Sequence, residues 1–587
     1  MTSKIQEAAI KYNGVPALIA IDQEGGNVRR VYNQVTKVPG HMAIGSASFS
    51  KEDAAYQIGS IIGEELKCLG VNFNMAPVAD VNSNPYNPVI GIRAFSDDPK
   101  RVTKLAKDYA KGLEKHNVLA SYKHFMGHGN VIVDSHLDLP HLDTSLEDLR
   151  KVELVPYLDE SYSPPAIMTA HILYSKLDDR FPATISKKII HDFLRKELKY
   201  DGLVVTDCFE MDAITRAFSL SEAAIFSIKA TVDLVTISHT FGRQLTARNA
   251  LIDAVKKGTI TNEELDERLH KILKYKSKYA TTENCNVDWK KNQDIANEIS
   301  KRSVALISGK PFKIDQDTVV IGVTNYLSTI AEDANVEKID VAKRIGEAFN
   351  IPYKSIDNKN FNVNEISSFA KDKKVVLALT DSHITLVQKV LYSQLVQRDQ
   401  KLMLISMRTP YDVLQQQQPT CHFATFEYTT RSVKSLIRVL KGERAIGKCP
   451  VDLDKIRKTN EHSEINNQLV RKALEYIDEH YATQIRLIDV ADELKVSREH
   501  LSRIIKEHTN ENFIDYLIRT RINSAKNYLA TSTLRVYEIA HVVGFTEPSY
   551  FTRKFKEING ITPKEYRDQY KGTWFFSSLP FLKTSKS

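Results

Sequence analysis

The residues best suited to chemistry are polar side chains that follow short apolar runs. Asp207 directly follows one such β-branched run, which places its carboxylate rigidly enough to attack an electrophilic carbon. Asp134 precedes His136 by two residues, and an aspartate at that spacing can accept the imidazole Nδ1 proton, leaving Nε2 to carry a proton to or from a reacting atom. This combination is suited to displacement at carbon with proton transfer to a leaving group.

Residues 17–240 repeat the arrangement that must position these groups, a short apolar run followed by a helical stretch. Strands that alternate with helices predict a parallel sheet wrapped by helices. In such barrels the loops at the carboxyl ends of the strands converge, so chemistry concentrates there. The predicted strands are Ala17–Asp22, Val71–Ala79, Leu119–His124, Ala166–His171, Leu203–Asp207 and Asp233–Ser238. The polar residues at their ends are Asp22–Gly26, Asn74–Asp80, Lys123–Gly129, His171 and Asp207.

Several spaced motifs lie at these ends: residues 21–30 (IDQEGGNVRR), 91–96 (GIRAFS), 123–129 (KHFMGHG), 134–136 (DSH) and 206–207 (TD). In this order they resemble family 3 glycoside hydrolases, specifically the β-N-acetylglucosaminidase branch. The resemblance extends from about residue 15 to residue 453. It implies a TIM-type barrel followed by an α/β sandwich, and no cofactor or metal ion.

The resemblance also implies roles for individual residues. Hydrolysis with retention needs a carboxylate that attacks the anomeric carbon and an acid that protonates the leaving oxygen. Asp207 matches the nucleophile, His136 the acid/base on its loop, and Asp134 the residue that orients it. The residues expected to bind the sugar hydroxyls are Asp22, Arg30, Arg93, Lys123 and His124.

The chain departs from the family pattern at several places. Only about twenty residues precede the 21–30 motif, so we expect the barrel to lack its first strand, which exposes neighbouring strand edges unless another element covers them. Met126 replaces the usual proline, Asn130 stands where aspartate is common, and Thr231 where glycine is typical. None of these positions coincides with Asp207 or the 134/136 pair.

The remaining sequence predicts a multidomain α/β plus all-α chain. A second α/β region follows the polar stretch Thr281–Gln293, and from about Asn466 the apolar spacing becomes helical only. The predicted domains are the barrel-type catalytic domain at 1–285, the α/β sandwich at 294–453, a linker at 454–465, a DNA-binding domain at 466–571 and a tail at 572–587.

The helical region contains two similar helix pairs about fifty residues apart, a sign of internal duplication. The second carries residues 539–545 (IAHVVGF), 549–555 (SYFTRKF) and 560–563 (GITP). These segments resemble the AraC/XylS class of DNA-binding domains, which implies two helix-turn-helix units reading successive major-groove faces of an operator. At helical spacing the groove-facing residues are Glu499, Ser502, Arg503, Ser549, Thr552 and Arg553. An ordinary helical bundle with solvated faces is the competing interpretation.

Composition narrows the remaining classes. The 587 residues are 42% apolar and 26% charged, with a net charge of +8, which suits a folded multidomain protein and does not by itself indicate a nucleic-acid partner. The apolar runs near the start are too short for a membrane span, and no signal peptide is evident, so a cytoplasmic location is expected. The five cysteines are widely separated and include no CxxC pair, which predicts neither zinc nor a redox centre.

Three hypotheses follow from these two halves. The chain is a working glycosidase that also regulates transcription, a transcription factor whose impaired hydrolase-like domain only senses sugar, or an enzyme whose helices bind a protein. The expected partners are a β-linked N-acetylglucosamine glycan or cell-wall fragment and a double-stranded DNA operator. No heptad pattern indicates an oligomeric state.

Overall fold

A computed structural model describes residues 1–131, 139–281, 286–324, 332, 338–358, 361–398, 400–414, 417–454 and 469–570, the last range without 471, 475, 478, 510 and 533. The chain divides into two compact units, Met1–Leu453 and Asp454–Ser587. No helix within the described ranges has the length and apolar character needed to cross a bilayer.

A parallel five-stranded sheet forms the centre of the first unit. Its strands, in spatial order, are Ala20–Ile21, Phe73–Asn74, Leu119–Phe125, Ala166–Thr169 and Leu203–Thr206. The last three strands are buried along their whole length, as expected for a parallel sheet covered on both faces. Successive residues of these strands belong to two different hydrophobic clusters. Leu119 and Met168 belong to one cluster, and Ala120 and Ile167 belong to the other.

The barrel class is confirmed, although the sheet is only part of a barrel. The predicted strand at 233–238 is reduced to a parallel bridge between Leu234 and Val205. The Thr206 side-chain oxygen accepts the Thr236 backbone N–H at 2.9 Å, so that N–H does not continue the ladder. At the other edge the amide of Gln6 exchanges two hydrogen bonds with the Ala17 backbone at 2.8 and 2.9 Å, which satisfies groups that the edge leaves unpaired.

Helices and short turns surround this sheet. Helices Ala54–Cys68 and Pro99–Glu114 pack so closely that a Cβ on Gly59 would lie 2.1 Å from the Tyr109 carbonyl oxygen. The other helical elements are Thr2–Asn13, His41–Ala47, Gly91–Arg93, Leu146–Lys151, Val155–Tyr157, Ala183–Ile185, Lys188–Glu197, Asp212–Thr215, Leu220–Lys229, Phe241–Lys256 and Asn262–Tyr279. Strands His141–Leu142 and Leu173–Tyr174 form a separate parallel pair.

The second α/β region is a six-stranded sheet with helices on it. Its strands, in spatial order, are Tyr353–Ile356, Thr318–Val323, Lys374–Leu379, Leu402–Ser406, Cys421–Ala424 and Ala305–Gly309, of which only the last is antiparallel to its neighbour. Its helical elements are Trp289–Ser303, Val341–Phe349, Val363–Phe369, Leu386–Val396, Pro410–Val413 and Thr430–Leu440.

The sandwich supports the loops at the carboxyl edge of the parallel sheet. The side-chain amide of Asn82 donates to the Tyr411 hydroxyl at 2.6 Å, and His383 Nε2 lies 3.0 Å from the Pro85 carbonyl. The Gly40 N–H donates to the buried Glu427 carboxylate at 2.8 Å. The sandwich therefore fixes loops that belong to the barrel.

Within the residues that the structure describes, the second unit consists of helices and short turns. Its helices include Leu487–Glu493, Arg498–Thr509, Phe513–Thr531, Val536–Val542, Pro548–Asn559 and Pro563–Tyr570. One hydrophobic cluster centres on Leu501 and Ile505 and the other on Ile539 and Phe555. Leu487 and Leu494 pack against the first of these clusters and are only partly buried. The predicted linker and tail lie almost entirely outside the described residues.

Candidate active site and nucleic-acid interface

A buried network of ion pairs lies at the carboxyl edge of the parallel sheet. Glu24 accepts two hydrogen bonds from the guanidinium of Arg93, at 3.0 and 2.8 Å. Its carboxylate also lies 2.6 Å from Lys123 Nζ, which reaches Asp22 at 2.9 Å. Glu24, Arg93 and Lys123 are buried, whereas the Asp22 side chain is 41% exposed. The network thus presents one carboxylate to solvent above two fixed cations.

Electrostatics keep this network charged. Burial opposes ionisation of Glu24, but the charges of Arg93 and Lys123 outweigh burial and hold the pKa of Glu24 well below its usual value. For Lys123, burial also opposes charge, yet Asp22 and Glu24 raise its pKa. Each ion is therefore retained in the interior by its partners.

A second network fixes His124 and the loop after it. Asp80 accepts hydrogen bonds from His124 Nδ1 at 2.7 Å, from the His124 N–H at 3.1 Å and from the His128 N–H at 2.7 Å. Burial opposes ionisation of Asp80, but the charge and hydrogen bonds of His124 lower its pKa. With Nδ1 bound to Asp80, the other ring nitrogen of His124 is the one available to a ligand.

Asp207 lies directly beyond the last strand of the sheet. The Cys208 N–H donates to its Oδ1 at 2.7 Å. Buried His171 has its Nε2 3.0 Å from the Cys208 carbonyl and packs against Phe209, so it holds the backbone next to Asp207. Because Thr206 pairs with Thr169 and Thr169 with Phe125, Asp207 and Lys123 belong to the same sheet edge.

The structure brings together Asp22, Arg93 and Lys123, and it places His124 and Asp207 at the same edge. Arg30 lies on the same loop as Asp22, with its backbone N–H bonded to Gln23 Oε1 at 2.9 Å. Asp134 and His136 lie outside the described residues. The sequence alone assigns no role to Glu24 or Asp80. Both positions are nevertheless marked, because Glu24 lies within the motif at residues 21–30 and Asp80 is the last residue of the polar segment Asn74–Asp80.

Two buried histidines beside these networks make stability depend on pH. Burial lowers the pKa of His41 and of His128 to about 4, whereas an unfolded histidine titrates near about 6.5. Between these values the unfolded chain binds more protons, so stability is complete above the unfolded pKa and falls as pH decreases through this window, by up to about 1.4 kcal/mol per pH unit for each histidine.

In His128→Gln the free energy of unfolding is therefore expected to fall less steeply on acidification, because about one proton fewer is taken up on unfolding. The check is the urea unfolding midpoint of full-length protein at several values between about pH 7 and about pH 5. The partly exposed His191, which pairs with Asp192, supplies the matched variant His191→Gln, which should keep the wild-type slope. Equal slopes in all three proteins would contradict the burial argument.

The second unit exposes the predicted DNA-contacting residues on two helices. On Arg498–Thr509 the Glu499 side chain is 74% exposed and Arg503 is exposed, with Ser502 half-buried between them. On Pro548–Asn559, Ser549 and Arg553 are exposed and Thr552 is half-buried. Arg503 and Arg553 are both exposed and not buried in the helical bundle. The helix faces that carry them can therefore contact a partner.

The internal duplication predicted from the sequence is visible in the backbone. Lys495 and Gly544 occupy equivalent turns and both have positive φ, +55° and +92°. Arg486 with Asp489 and Arg535 with Glu538 form the same capping box at the start of each pair. A Cβ on Gly544 would lie 2.6 Å from the Tyr481 carbonyl oxygen, so glycine is needed there both for space and for φ.

Comparison with known proteins agrees with both halves. The model of the glycosyl hydrolase family 3 N-terminal domain matches residues 1–275, and that of a helix-turn-helix domain matches residues 490–569. Beta-hexosaminidase A of Pseudoalteromonas piscicida is 38% identical over 301 residues, covering 47% of this chain and 50% of that protein. Beta-hexosaminidase of Idiomarina loihiensis is 31% identical over 260 residues, covering 44% of this chain and 76% of that protein.

A solved structure covers a larger share of the chain. The family 3 beta-N-acetylglucosaminidase from Paenibacillus sp. str. FPU-7 superposes with a TM-score of 0.71 at 32% identity, covering 77% of this chain and 89% of that one. The chain therefore belongs to glycoside hydrolase family 3, and it joins that fold to a helix-turn-helix domain. Both resemblances inferred from the sequence are confirmed, although the chain spans only about half the length of the Pseudoalteromonas relative.

Proposed function

We propose that the first unit is a retaining β-N-acetylglucosaminidase and that the second binds DNA, so that one chain both processes N-acetylglucosamine-containing glycans and regulates transcription in the cytoplasm. The observation that carries the first part is the shared sheet edge. Asp207 follows the last strand, Asp22 and Glu24 follow strand Ala20–Ile21, and Lys123 lies near the end of strand Leu119–Phe125. For the two activities we propose the domain boundaries that the sequence predicts, with the catalytic domain at 1–285, the α/β sandwich at 294–453 and the DNA-binding domain at 466–571.

The proposed reaction has two steps. Asp207 attacks the anomeric carbon, the glycosidic bond breaks, and protonated His136 gives its proton to the leaving oxygen. His136, now neutral, then takes a proton from water as the water attacks the glycosyl ester, which releases Asp207 and retains the anomeric configuration. Asp134 orients the imidazole.

Sugar recognition is assigned to the charged network. Asp22 is partly exposed and anchored by Lys123, so its free lone pairs can accept from two hydroxyl groups while Lys123 donates. His124, held by Asp80, offers its second ring nitrogen, and Arg30 and Arg93 complete the proposed set. The buried Glu24 keeps the two cations in place without touching the sugar.

The hydrolase proposal is tested with purified full-length protein and 4-nitrophenyl N-acetyl-β-glucosaminide. Release of nitrophenol is expected, with much slower release from the matching β-glucoside, which lacks the acetamido group. No turnover of the first substrate would contradict the proposal, and thermal stabilisation by N-acetylglucosamine without turnover would favour a sugar sensor instead.

The DNA proposal predicts a specific loss in two arginine variants. After an operator is selected from a random duplex pool, Arg503→Ala and Arg553→Ala should each weaken binding by about 1–3 kcal/mol, the value of a guanine contact in the major groove. Fluorescence anisotropy at fixed salt measures this. The control is Arg519→Ala. Arg519 lies on helix Phe513–Thr531, between the two helix pairs, and is ion-paired with Glu511 at 3.0 Å. Equal affinities in all variants, or no salt-dependent binding, would refute a DNA-reading role.

A further inference from the structure

Three potential metal ligands meet beside the segment that carries Asp207. Cys208 and Glu210 follow the last strand of the parallel sheet, and His239 follows the apolar run after it. One ligand atom from each of the three lies within 4.8 Å of the other two, with Cys208 Sγ 4.0 Å from Glu210 Oε2. The His239 and Thr240 N–H groups donate to Oε2 at 2.5 and 3.3 Å, which ties the two segments together.

The second carboxylate oxygen of Glu210 has an ion-pair partner but, among the described residues, no hydrogen-bond donor. The Glu210 side chain is 6% exposed, and within the part of the chain that the structure describes its Oε1 has no hydrogen-bond partner. The guanidinium of Arg243, whose side chain is 51% exposed, pairs with this oxygen at 3.6 Å, which is beyond hydrogen-bond distance. A buried carboxylate oxygen without a donor is costly, and a metal cation bound closer than Arg243 would satisfy it.

We propose that Cys208, Glu210 and His239 bind a divalent transition-metal ion, for which Zn²⁺ is the best fit. Thiolate, imidazole and carboxylate are zinc ligands, and three of them with one open position is a common arrangement. The thiolate disfavours magnesium and calcium. Bond lengths of about 2.0–2.3 Å require the ligand atoms to approach by roughly 1 Å, which exposed His239 can provide. On binding, the Cys208 thiol loses its proton to solvent.

Such an ion would slow hydrolysis, and this consequence rests on the proposed function. Cys208 is adjacent to Asp207 and donates its N–H to the Asp207 carboxylate. A divalent cation held there withdraws charge from that carboxylate and makes it a weaker nucleophile. The expected loss of rate is on the order of tenfold, which corresponds to about 1.4 kcal/mol in activation free energy.

Cobalt titration tests the site without reference to activity. Metal-free full-length protein in a non-chelating reductant is titrated with Co²⁺. We expect a thiolate-to-cobalt charge-transfer band that disappears when Zn²⁺ is added, because zinc replaces the cobalt. Cys208→Ser should abolish the band, and His239→Gln, an exposed position that does not endanger folding, should weaken cobalt binding at least about tenfold. Cys449→Ser, which removes another free cysteine, should retain it. No band in the wild type, or a band that persists in Cys208→Ser, would overturn the proposal.

Zinc inhibition is the second arm of the test. Zn²⁺ should slow the wild-type glycosidase and have little effect on His239→Gln, whereas equal inhibition of both would overturn the regulatory role. If the protein hydrolyses no glycoside, the proposed function fails while the cobalt titration still decides whether the metal site exists.

Discussion

Asp207→Asn is expected to lower kcat for 4-nitrophenyl N-acetyl-β-glucosaminide by at least about 10³-fold, because removing the nucleophile of a covalent mechanism removes the step that divides the reaction in two. The substitution keeps the shape of the side chain and can still accept the Cys208 N–H. Folding should therefore be preserved, and sugar should still bind.

Asp201→Asn is the matched control for this variant. Asp201 is a 79%-exposed carboxylate just before the same strand, and it lies 3.4 Å from Lys271 Nζ. Its substitution should leave kcat unchanged. If folded Asp207→Asn retained wild-type turnover, Asp207 would not be the nucleophile.

Glu24→Gln is expected to destabilise the first unit by about 3–5 kcal/mol. The Glu24 carboxylate is the buried partner of both Arg93 and Lys123, and removing one member of a buried ionic network leaves uncompensated charge in the interior. The substitution is nearly isosteric, so packing is not the cause. The measurement is the midpoint of urea unfolding of the first unit within the full-length protein, monitored by circular dichroism.

Glu365→Gln supplies the comparison for an exposed ion pair. Its carboxylate lies 2.8 Å from Lys354 Nζ, and both side chains are largely exposed, so a change below about 1 kcal/mol is expected. Equal midpoints for wild type and Glu24→Gln would show that the buried network does not stabilise the fold.

Much of the site could be predicted because parallel strands bring their carboxyl ends to one edge. Asp22, Lys123 and Asp207 follow separate apolar runs, and the structure places them at that edge as the pattern indicated. The residues that hold them there were harder to find. Glu24 is the shared partner of Lys123 and of Arg93. Arg93 is distant from Glu24 in the sequence, and sequence spacing does not reveal that contact.

Elements whose local pattern is weak are also hard to predict from the sequence. Strand Tyr353–Ile356 lies at a sheet edge, mixes polar with apolar residues and is only partly buried, so its sequence lacks the apolar run of the inner strands. The contact between Gly40 and Glu427 joins distant parts of the chain. By contrast, the turn in the second helix pair is predictable because Gly544, within residues 539–545, marks it directly.

The most direct test of the account is to trap the glycosyl-enzyme. Full-length protein is incubated with a fluorinated N-acetylglucosaminyl donor whose fluorine slows hydrolysis of the intermediate, then digested and analysed by mass spectrometry. A sugar attached to the peptide that contains Asp207, and absent from Asp207→Asn, is the predicted result. Turnover of the ordinary substrate with a label on another residue would contradict it.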